Sequence, residues 1–279
     1  MLARFTVSPS DIAFAKIKAT SSDFLGNLGE AEVEFESGVS SPEYVRFSAA
    51  SGAPSVVGKG TVTWEWKFFD VEESGSGEAG VSVGGERSSG PHTIYTLLGE
   101  PYEEPWETWG QERVWTEVLD YASAWADGEA SEGGAADAIT VHAYNDFGKD
   151  YNGYLTHASG TTLELSDLLA DTEADCRDMS ATVHAFLRAL GGASTQVRRI
   201  WGRFTTKSID PVGSPGWDVH EWNFHQVTHY SNVYDSCLRL DPASPRIPRN
   251  EDVNGAYRDD LYDSGTWEPG TPFEYNGVN

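Results

Sequence analysis

The period of the apolar residues changes near residue 105, and this change constrains the fold more than any other feature. Residues 30–36 and 61–68 alternate between polar and apolar side chains, as half-buried antiparallel strands do, and residues 93–98 are a third strand candidate. A proline-bracketed segment, residues 101–105, follows. After it, one helical stripe is formed by Trp115, Val118, Leu119, Tyr121 and Trp125.

The two parts of the chain are therefore predicted to be separate domains of an α+β protein. Residues 1–104 are expected to form a β-sandwich-like domain, and residues 105–279 a domain that combines helices with a sheet. Residues 71–90 are rich in Gly and Ser, which indicates a long exposed loop. The stretch after Pro242 is rich in Pro, Asn, Asp and Gly, so we expect irregular structure there.

The most clearly patterned element is a helix over residues 176–190. Asp175 precedes it as an N-cap, and Gly191 follows it where helices commonly end. Its apolar residues recur at helical spacing: Cys176, Met179, Val183, Phe186, Leu187 and Leu190. Strands are predicted after it at residues 195–200, 221–230 and 233–240, the last two as a tight hairpin.

Charge and composition exclude several classes of function. The chain has 44 acidic and 19 basic residues, a net charge of −25, which argues against a nucleic-acid or anionic-membrane partner. No apolar stretch approaches the ~18 residues of a membrane helix, and the N-terminus lacks the apolar region of a signal peptide. We expect a soluble protein, cytoplasmic or exported by another route, without a cofactor or bound metal.

Cys176 is the residue that most directly suggests chemistry. At a helix start, free backbone N–H groups and the helix dipole stabilise a thiolate, and a neighbouring imidazole would stabilise it further. The alternative is that Cys176 is a small buried apolar residue. Downstream, His220 and His225 lie on one predicted strand and Asp235 on the next. Adjacent strands place opposing side chains ~5 Å apart, which suits a nucleophile, a base and an orienting carboxylate.

Three motifs in this order resemble those of the transglutaminase-like (papain-related) cysteine enzymes, over about residues 106–245. Asp175-Cys176 opens a helix that ends in L-R-A-L-G and is followed by a strand with Arg198-Arg199. Trp222-Asn223-Phe224-His225 is similar to the W-N-F-H that carries the catalytic His in animal transglutaminases. Leu240-Asp241-Pro242, or Val233-Tyr234-Asp235, is similar to the strand that carries the family's Asp. The resemblance implies helices packed on an antiparallel sheet behind an N-terminal β-sandwich. It also implies acyl transfer at amide bonds of peptide or protein substrates.

The same resemblance leaves two assignments of the triad open. We expect Cys176, His225 and Asp235, because His225 matches W-N-F-H and a hairpin turn at residues 230–231 would pair it with Asp235. The rival pair is His220 and Asp241. His220 fits the H-x-W form of bacterial relatives, and a turn at residues 231–232 would favour this pair.

The oxyanion donor is also left open. Animal transglutaminases use a Trp upstream of the Cys, and this chain has none between Trp125 and Cys176. The candidates are Tyr144, Tyr151, Tyr154 and the backbone N–H of Cys176.

Three other hypotheses compete with a catalytic triad. His220 and His225 suggest a zinc motif, but five residues apart on a strand they point to opposite faces. A disulfide between Cys176 and Cys237 would make the arrangement a structural link. The third is a non-catalytic binding or structural module that presents aromatic rings to a polymer, with Trp64, Trp66 and Trp106 as candidates.

Overall fold

The chain divides into two compact units in a computed structural model. One unit comprises Met1–Pro54 and Lys59–Thr96, and the other Ser55–Gly58 and Leu97–Asn279. The structure is mixed α and β and rich in strands. Within the part of the chain that it describes, no helix is both long and apolar enough to cross a membrane. The described residues are 2–6, 14–21, 26–42, 45–48, 54–69, 87–102, 107–108, 111–112, 114–192, 194–240 and 244–278.

The first unit is built on a five-stranded sheet of order β4-β3-β2-β6-β7, beside a separate two-stranded ladder of β1 and β5. Alternate side chains of strands β2 and β6 point toward its core, in which Ile17, Val62 and Trp64 are fully buried. The β-sandwich stays a prediction, and the predicted loop lies outside the described residues up to residue 86. The strands are β1 (Leu2–Ala3), β2 (Phe14–Thr20), β3 (Ala31–Glu36), β4 (Val39–Ser41), β5 (Val45–Arg46), β6 (Gly58–Phe69) and β7 (Arg87–Thr96).

The second unit contains five helices and fifteen short or medium strands among its described residues. Its helices are α1 (Thr116–Trp125), α2 (Glu132–Asp146), α3 (Leu165–Ala170), α4 (Cys176–Ala189) and α5 (Ala256–Leu261). Its strands are β8 (Glu107–Thr108), β9 (Gln111–Glu112), β10 (Asp150–Tyr151), β11 (Ala158–Ser159), β12 (Thr162–Leu163), β13 (Glu173–Ala174), β14 (Gln196–Thr206), β15 (Ile209–Pro211), β16 (Glu221–Tyr230), β17 (Asn232–Tyr234), β18 (Leu238–Leu240), β19 (Arg249–Glu251), β20 (Tyr262–Gly265), β21 (Glu268–Pro269) and β22 (Gly277–Val278).

Helix α4 is the centre of the second unit. Every residue of α4 except Arg177 is buried, and the helix packs against strand β16 and helices α1 and α2. Strand β16 lies in a sheet of order β19-β17-β16-β14-β20, in which β21 also pairs with β14. The Thr228 hydroxyl on β16 donates to the Ser180 carbonyl of α4 at 3.0 Å. The start of α4 is therefore fixed relative to this sheet.

Residues 97–102, which the sequence assigns to the first domain, belong to the second unit. The N–H groups of Leu98 and Gly99 donate to the carbonyl of Leu190 at the end of α4. Gly191 adopts a φ of +86°, and a Cβ there would lie 2.6 Å from the Gly99 backbone. This close approach explains why a Gly follows the helix.

Two stretches of the second unit differ from their predicted structure. The single strand predicted over residues 233–240 is instead two strands, β17 and β18, which lie in different sheets. The turn between β16 and β17 is centred on Ser231, which has a φ of +58°. The expectation of irregular structure after Pro242 is correct only in part, since helix α5 and the short strands β19 to β22 lie there. Helix α2 was not predicted.

Candidate active site

Cys176 is the first residue of helix α4 and is 3% exposed. The helix starts there because of a capping box. The Asp175 carboxylate accepts from the N–H groups of Arg177 and Asp178 at 2.8 and 3.1 Å. The Asp178 carboxylate accepts from the Asp175 N–H at 3.1 Å. The thiol is thus held at the N-terminal, positive end of a buried helix.

The two carboxylates beside the sulfur are both engaged by other groups. Asp175 pairs with the Arg177 guanidinium at 2.6 Å, and Asp178 accepts from the His157 N–H at 2.7 Å and the Thr156 hydroxyl at 3.1 Å. Burial, with Asp178 nearby, raises the pKa of Asp175. Arg177 offsets the charge of Asp175, whereas Asp178 is held by a backbone N–H and a hydroxyl.

His225 on strand β16 lies between the thiol and a carboxylate. Its Nε2 is 2.9 Å from Oδ2 of Asp235, and the two side chains are 0% and 1% exposed. Its Nδ1 is buried and has no hydrogen-bond partner among the described residues, and Cys176 lies close enough to contribute to the pKa of the ring. Burial by itself lowers the pKa of His225. Asp235 and Cys176 outweigh that effect and raise the pKa to about 10.

Asp235 is held by backbone groups that interrupt the predicted strand. Its Oδ1 accepts from the N–H groups of Cys237 and Leu238 at 2.9 and 3.2 Å. When an Asp side chain accepts from the N–H groups two and three residues later, the backbone turns there and does not continue as a strand. The Tyr257 hydroxyl of helix α5 donates to Oδ2 at 2.7 Å, the same oxygen that faces His225.

A cleft of about 250 Å³ adjoins Cys176. Trp222, one of its lining residues, is 5% exposed, and its ring centroid lies 5.3 Å from that of His225. The indole Nε1 of Trp222 is buried without a hydrogen-bond partner in the described part of the chain. The lining of the cleft is therefore mostly aromatic and includes two carboxylates. Its lining residues are Tyr151, Gly153, Tyr154, Asp175, Cys176, Trp217, His220, Glu221, Trp222, Asn223 and Phe224.

The residues of the rival pair are not brought together by described contacts. His220 is an exposed residue of the cleft, and its ring lies 4.6 Å from that of Trp217. No described carboxylate forms an ion pair with it. Asp241 lies outside the described residues, as does Trp106. Trp64 is fully buried and Trp66 is 5% exposed, so neither presents a free ring surface.

The alternative of a Cys176–Cys237 disulfide is not found, since both cysteines are free and buried. Burial, with Asp235 and Cys176 nearby, raises the pKa of Cys237 well above its usual range. Cys237 is therefore a neutral thiol at neutral pH. Among the described residues, no three His, Cys, Asp or Glu side chains are grouped as a metal ion would require.

The three tyrosines proposed as oxyanion donors differ in position. The Tyr144 hydroxyl donates to the Asp210 carbonyl at 3.0 Å, so its donor is already used. Tyr154 is fully exposed at the cleft. Tyr151 lines the cleft with Cys176, and burial raises its pKa. Tyr151 is the member of this group that combines burial with proximity to the sulfur.

Sequence reasoning missed Tyr257 and the unpartnered N–H of Trp222. Tyr257 and Leu261 are four residues apart and fully buried, a helical spacing that could have predicted α5. Trp222 stands in the quoted motif, but nothing in a sequence shows whether an indole N–H has an acceptor.

Comparison with known proteins gives weak similarity. No model of a known protein family matches the chain, and no curated protein matches it. Among solved structures the chain is similar to the crystal structure of red sea bream transglutaminase, with 14% sequence identity and a TM-score of 0.36. The match covers 90% of this chain and 49% of that one, so the chain spans about half the length of the transglutaminase. The function therefore has to be inferred from the geometry of the chain's own residues.

Proposed function

We propose that the chain is a cysteine-dependent acyl-transfer enzyme that acts on amide bonds of peptides or proteins. One observation carries the proposal. The buried imidazole of His225 bonds Asp235 at 2.9 Å, and Cys176, at the start of a buried helix, contributes with Asp235 to raising the pKa of that imidazole. A transglutaminase-like fold accords with the same residues and remains part of the proposal.

The reaction has two steps. The thiol proton of Cys176 passes to His225, and the sulfur attacks the amide carbonyl carbon to form a C–S bond. The C–N bond breaks and the amine leaves with the proton from His225, so a thioester remains. Water or a second amine then attacks the thioester, His225 accepts its proton, and the proton returns to the sulfur as the C–S bond breaks. Water gives a peptidase or amidase, and an amine gives a cross-linking enzyme.

Two N–H groups beside the cleft are the donors that we propose for the oxyanion that forms in each attack. The Cys176 N–H lies at the start of α4, where the Asp175 carboxylate binds the next two N–H groups. The indole N–H of Trp222 is an unpartnered donor in a side chain that lines the cleft. Each such donor typically contributes about 10²–10³-fold to the rate. In this proposal Trp222 takes the role for which the tyrosines were considered.

The aromatic lining of the cleft suits a peptide or protein substrate. Rings such as Trp217 and Phe224 pack against apolar side chains and against the flat amide group. Glu221, an exposed carboxylate among the lining residues, disfavours a carboxylate next to the reacting bond.

Alkylation by iodoacetamide tests the proposal without knowledge of the substrate. We expect Cys176 to react at least about tenfold faster than Cys237 at neutral pH, because Cys176 has a partner that takes its proton. His225→Ala should slow the labelling of Cys176 to the rate of an ordinary buried thiol. The labelled sites are read by peptide mass spectrometry, and thermal melting checks that the variant folds.

His220→Ala is the matched comparison and decides between the two histidines. We expect it to leave the alkylation rate of Cys176 within about twofold of wild type. If His220→Ala slows the labelling of Cys176 and His225→Ala does not, the base is His220. Slow and equal labelling of both thiols in the wild-type protein would instead favour a non-catalytic module.

A further inference from the structure

Tyr257 is a buried tyrosine whose hydroxyl bonds a residue of the candidate triad. It lies on α5, is 0% exposed, and donates to Oδ2 of Asp235 at 2.7 Å. Trp267 packs against its ring at a centroid distance of 6.2 Å. The side chain therefore has a fixed place and a directed hydrogen bond.

On the basis of the proposed function, we infer that Tyr257 is a positioning residue that acts on His225 through Asp235. The two oxygens of Asp235 have different donors. The backbone N–H groups of Cys237 and Leu238 hold Oδ1, whereas His225 and Tyr257 share Oδ2. Tyr257 is thus the group that competes directly with the imidazole for the charge on one oxygen.

The effect on His225 follows from the charge on that oxygen. A donated hydrogen bond spreads the negative charge of a carboxylate and weakens its attraction for another donor. With Tyr257 in place, Asp235 orients His225 without holding its proton too strongly, and the imidazolium can protonate the leaving amine. Without the hydroxyl, the bond between His225 and Asp235 becomes shorter and stronger.

Among the described residues, no ionisable group other than His225 and Tyr257 bonds Oδ2 of Asp235. Burial and the neighbouring Asp235 both raise the pKa of Tyr257, so its hydroxyl stays protonated and donates throughout the neutral range. The ionisable groups that face Asp235 or its two partners are His225 on β16, Cys176 on α4, Tyr144 on α2, Cys237 after β17, and Glu251 on β19, which acts on Tyr257.

Proton NMR of His225 tests the inference at neutral pH. The Nε2 proton of a buried imidazole bonded to a carboxylate gives a downfield signal that moves further downfield as the bond strengthens. We expect Tyr257→Phe to move this signal downfield by about 0.5 ppm, because the whole charge of Oδ2 then faces His225. Comparison with His225→Ala assigns the signal among the seven histidines of the chain.

Tyr275→Phe is the matched control. Tyr275 is 1% exposed, and its hydroxyl accepts from the Gln226 side chain at 3.1 Å, so this variant also loses a buried hydroxyl. The His225 signal should stay where it is in Tyr275→Phe. An unmoved signal in folded Tyr257→Phe, or an equal movement in both variants, would overturn the inference.

A second variant decides the question if Tyr257→Phe does not fold. Incorporation of 3-fluorotyrosine at position 257 keeps the shape and makes the hydroxyl a stronger donor, so the His225 signal should move upfield. A downfield or unchanged signal contradicts the inference. These signals do not depend on catalysis, whereas failure of the proposed function would appear as slow, equal alkylation of the two thiols in wild-type protein.

Discussion

At the scale of single residues, the ionisation of His225 results from two opposing effects. Burial disfavours the imidazolium, whereas Asp235 and Cys176 favour it and raise its pKa to about 10. The raised pKa therefore depends on Asp235. From the sequence, the carboxylate that partners the histidine could be predicted only as one of two alternatives. The position of the hairpin turn decides between them, and that turn is centred on Ser231 in a left-handed conformation.

Asp235→Asn should lower the pKa of His225 well below about 10, because the carboxylate that opposes the effect of burial is then lost and Cys176 alone opposes it. An NMR titration of His225 measures the midpoint. Asp210→Asn is the control, since Asp210 is also mostly buried but pairs with Arg239 at 2.6 Å. A midpoint that remains near 10 in Asp235→Asn would show that another group supports the imidazolium.

The same shift makes stability depend on pH. A pKa higher in the folded state than in the unfolded state adds to the free energy of unfolding below pH 6.5, and this contribution is lost as the pH rises through about 10. Urea unfolding at pH 7 and pH 10.5 should therefore show a larger loss of stability for wild type than for His225→Ala. Equal losses would contradict a raised pKa.

At the scale of elements, the sequence predicted α4 well and α2 not at all. The amphipathic spacing and the Asp175 cap are local, so they are visible in the sequence. Helix α2 buries mainly small side chains and contains a glycine pair near its start, so its pattern is weak. The break in residues 233–240 depends on hydrogen bonds from Asp235 to the backbone, which no apolar pattern reports.

The cap of α4 gives a prediction about stability. Asp175→Ala removes the acceptor for the N–H groups of Arg177 and Asp178 and should lower the free energy of unfolding by about 1–2 kcal/mol. Asp175→Asn keeps an acceptor and should restore most of this loss. Chemical denaturation measures both.

Ser131→Ala provides the comparison on another helix. The Ser131 hydroxyl accepts from the Gly134 N–H at 3.1 Å at the start of α2. We expect a loss of about 1 kcal/mol or less and an unchanged alkylation rate of Cys176. If Asp175→Ala costs no more than Ser131→Ala and leaves alkylation unchanged, the α4 cap has no special role.

At the scale of the whole molecule, the two units have separate apolar cores. Val57 and Val62 are five residues apart and both fully buried, but Val57 belongs to the core of the second unit and Val62 to that of the first. The sequence placed both in one domain, because residue 57 contacts the second unit through Glu129 and Gly128, far along the chain.

Calorimetry of matched variants tests this division. Val57→Ala and Val62→Ala each remove the same atoms from a fully buried site and should each cost about 2 kcal/mol. We expect two unfolding transitions. Val57→Ala should lower the midpoint temperature of one transition, and Val62→Ala should lower that of the other. A single transition that both variants lower equally would show that the chain unfolds as one body.

The position of Val57 also bears on the order of events during synthesis. Its backbone bonds Glu129 and Gly128, which leave the ribosome about 70 residues later, some seconds at ordinary rates of translation. The strands of the first unit can pair within that interval, whereas the segment 55–58 has to wait with its apolar side chain in water. In a nascent chain paused before residue 128, the first unit would therefore be folded, whereas residues 55–58 would still lack the partners that they bond in the complete second unit.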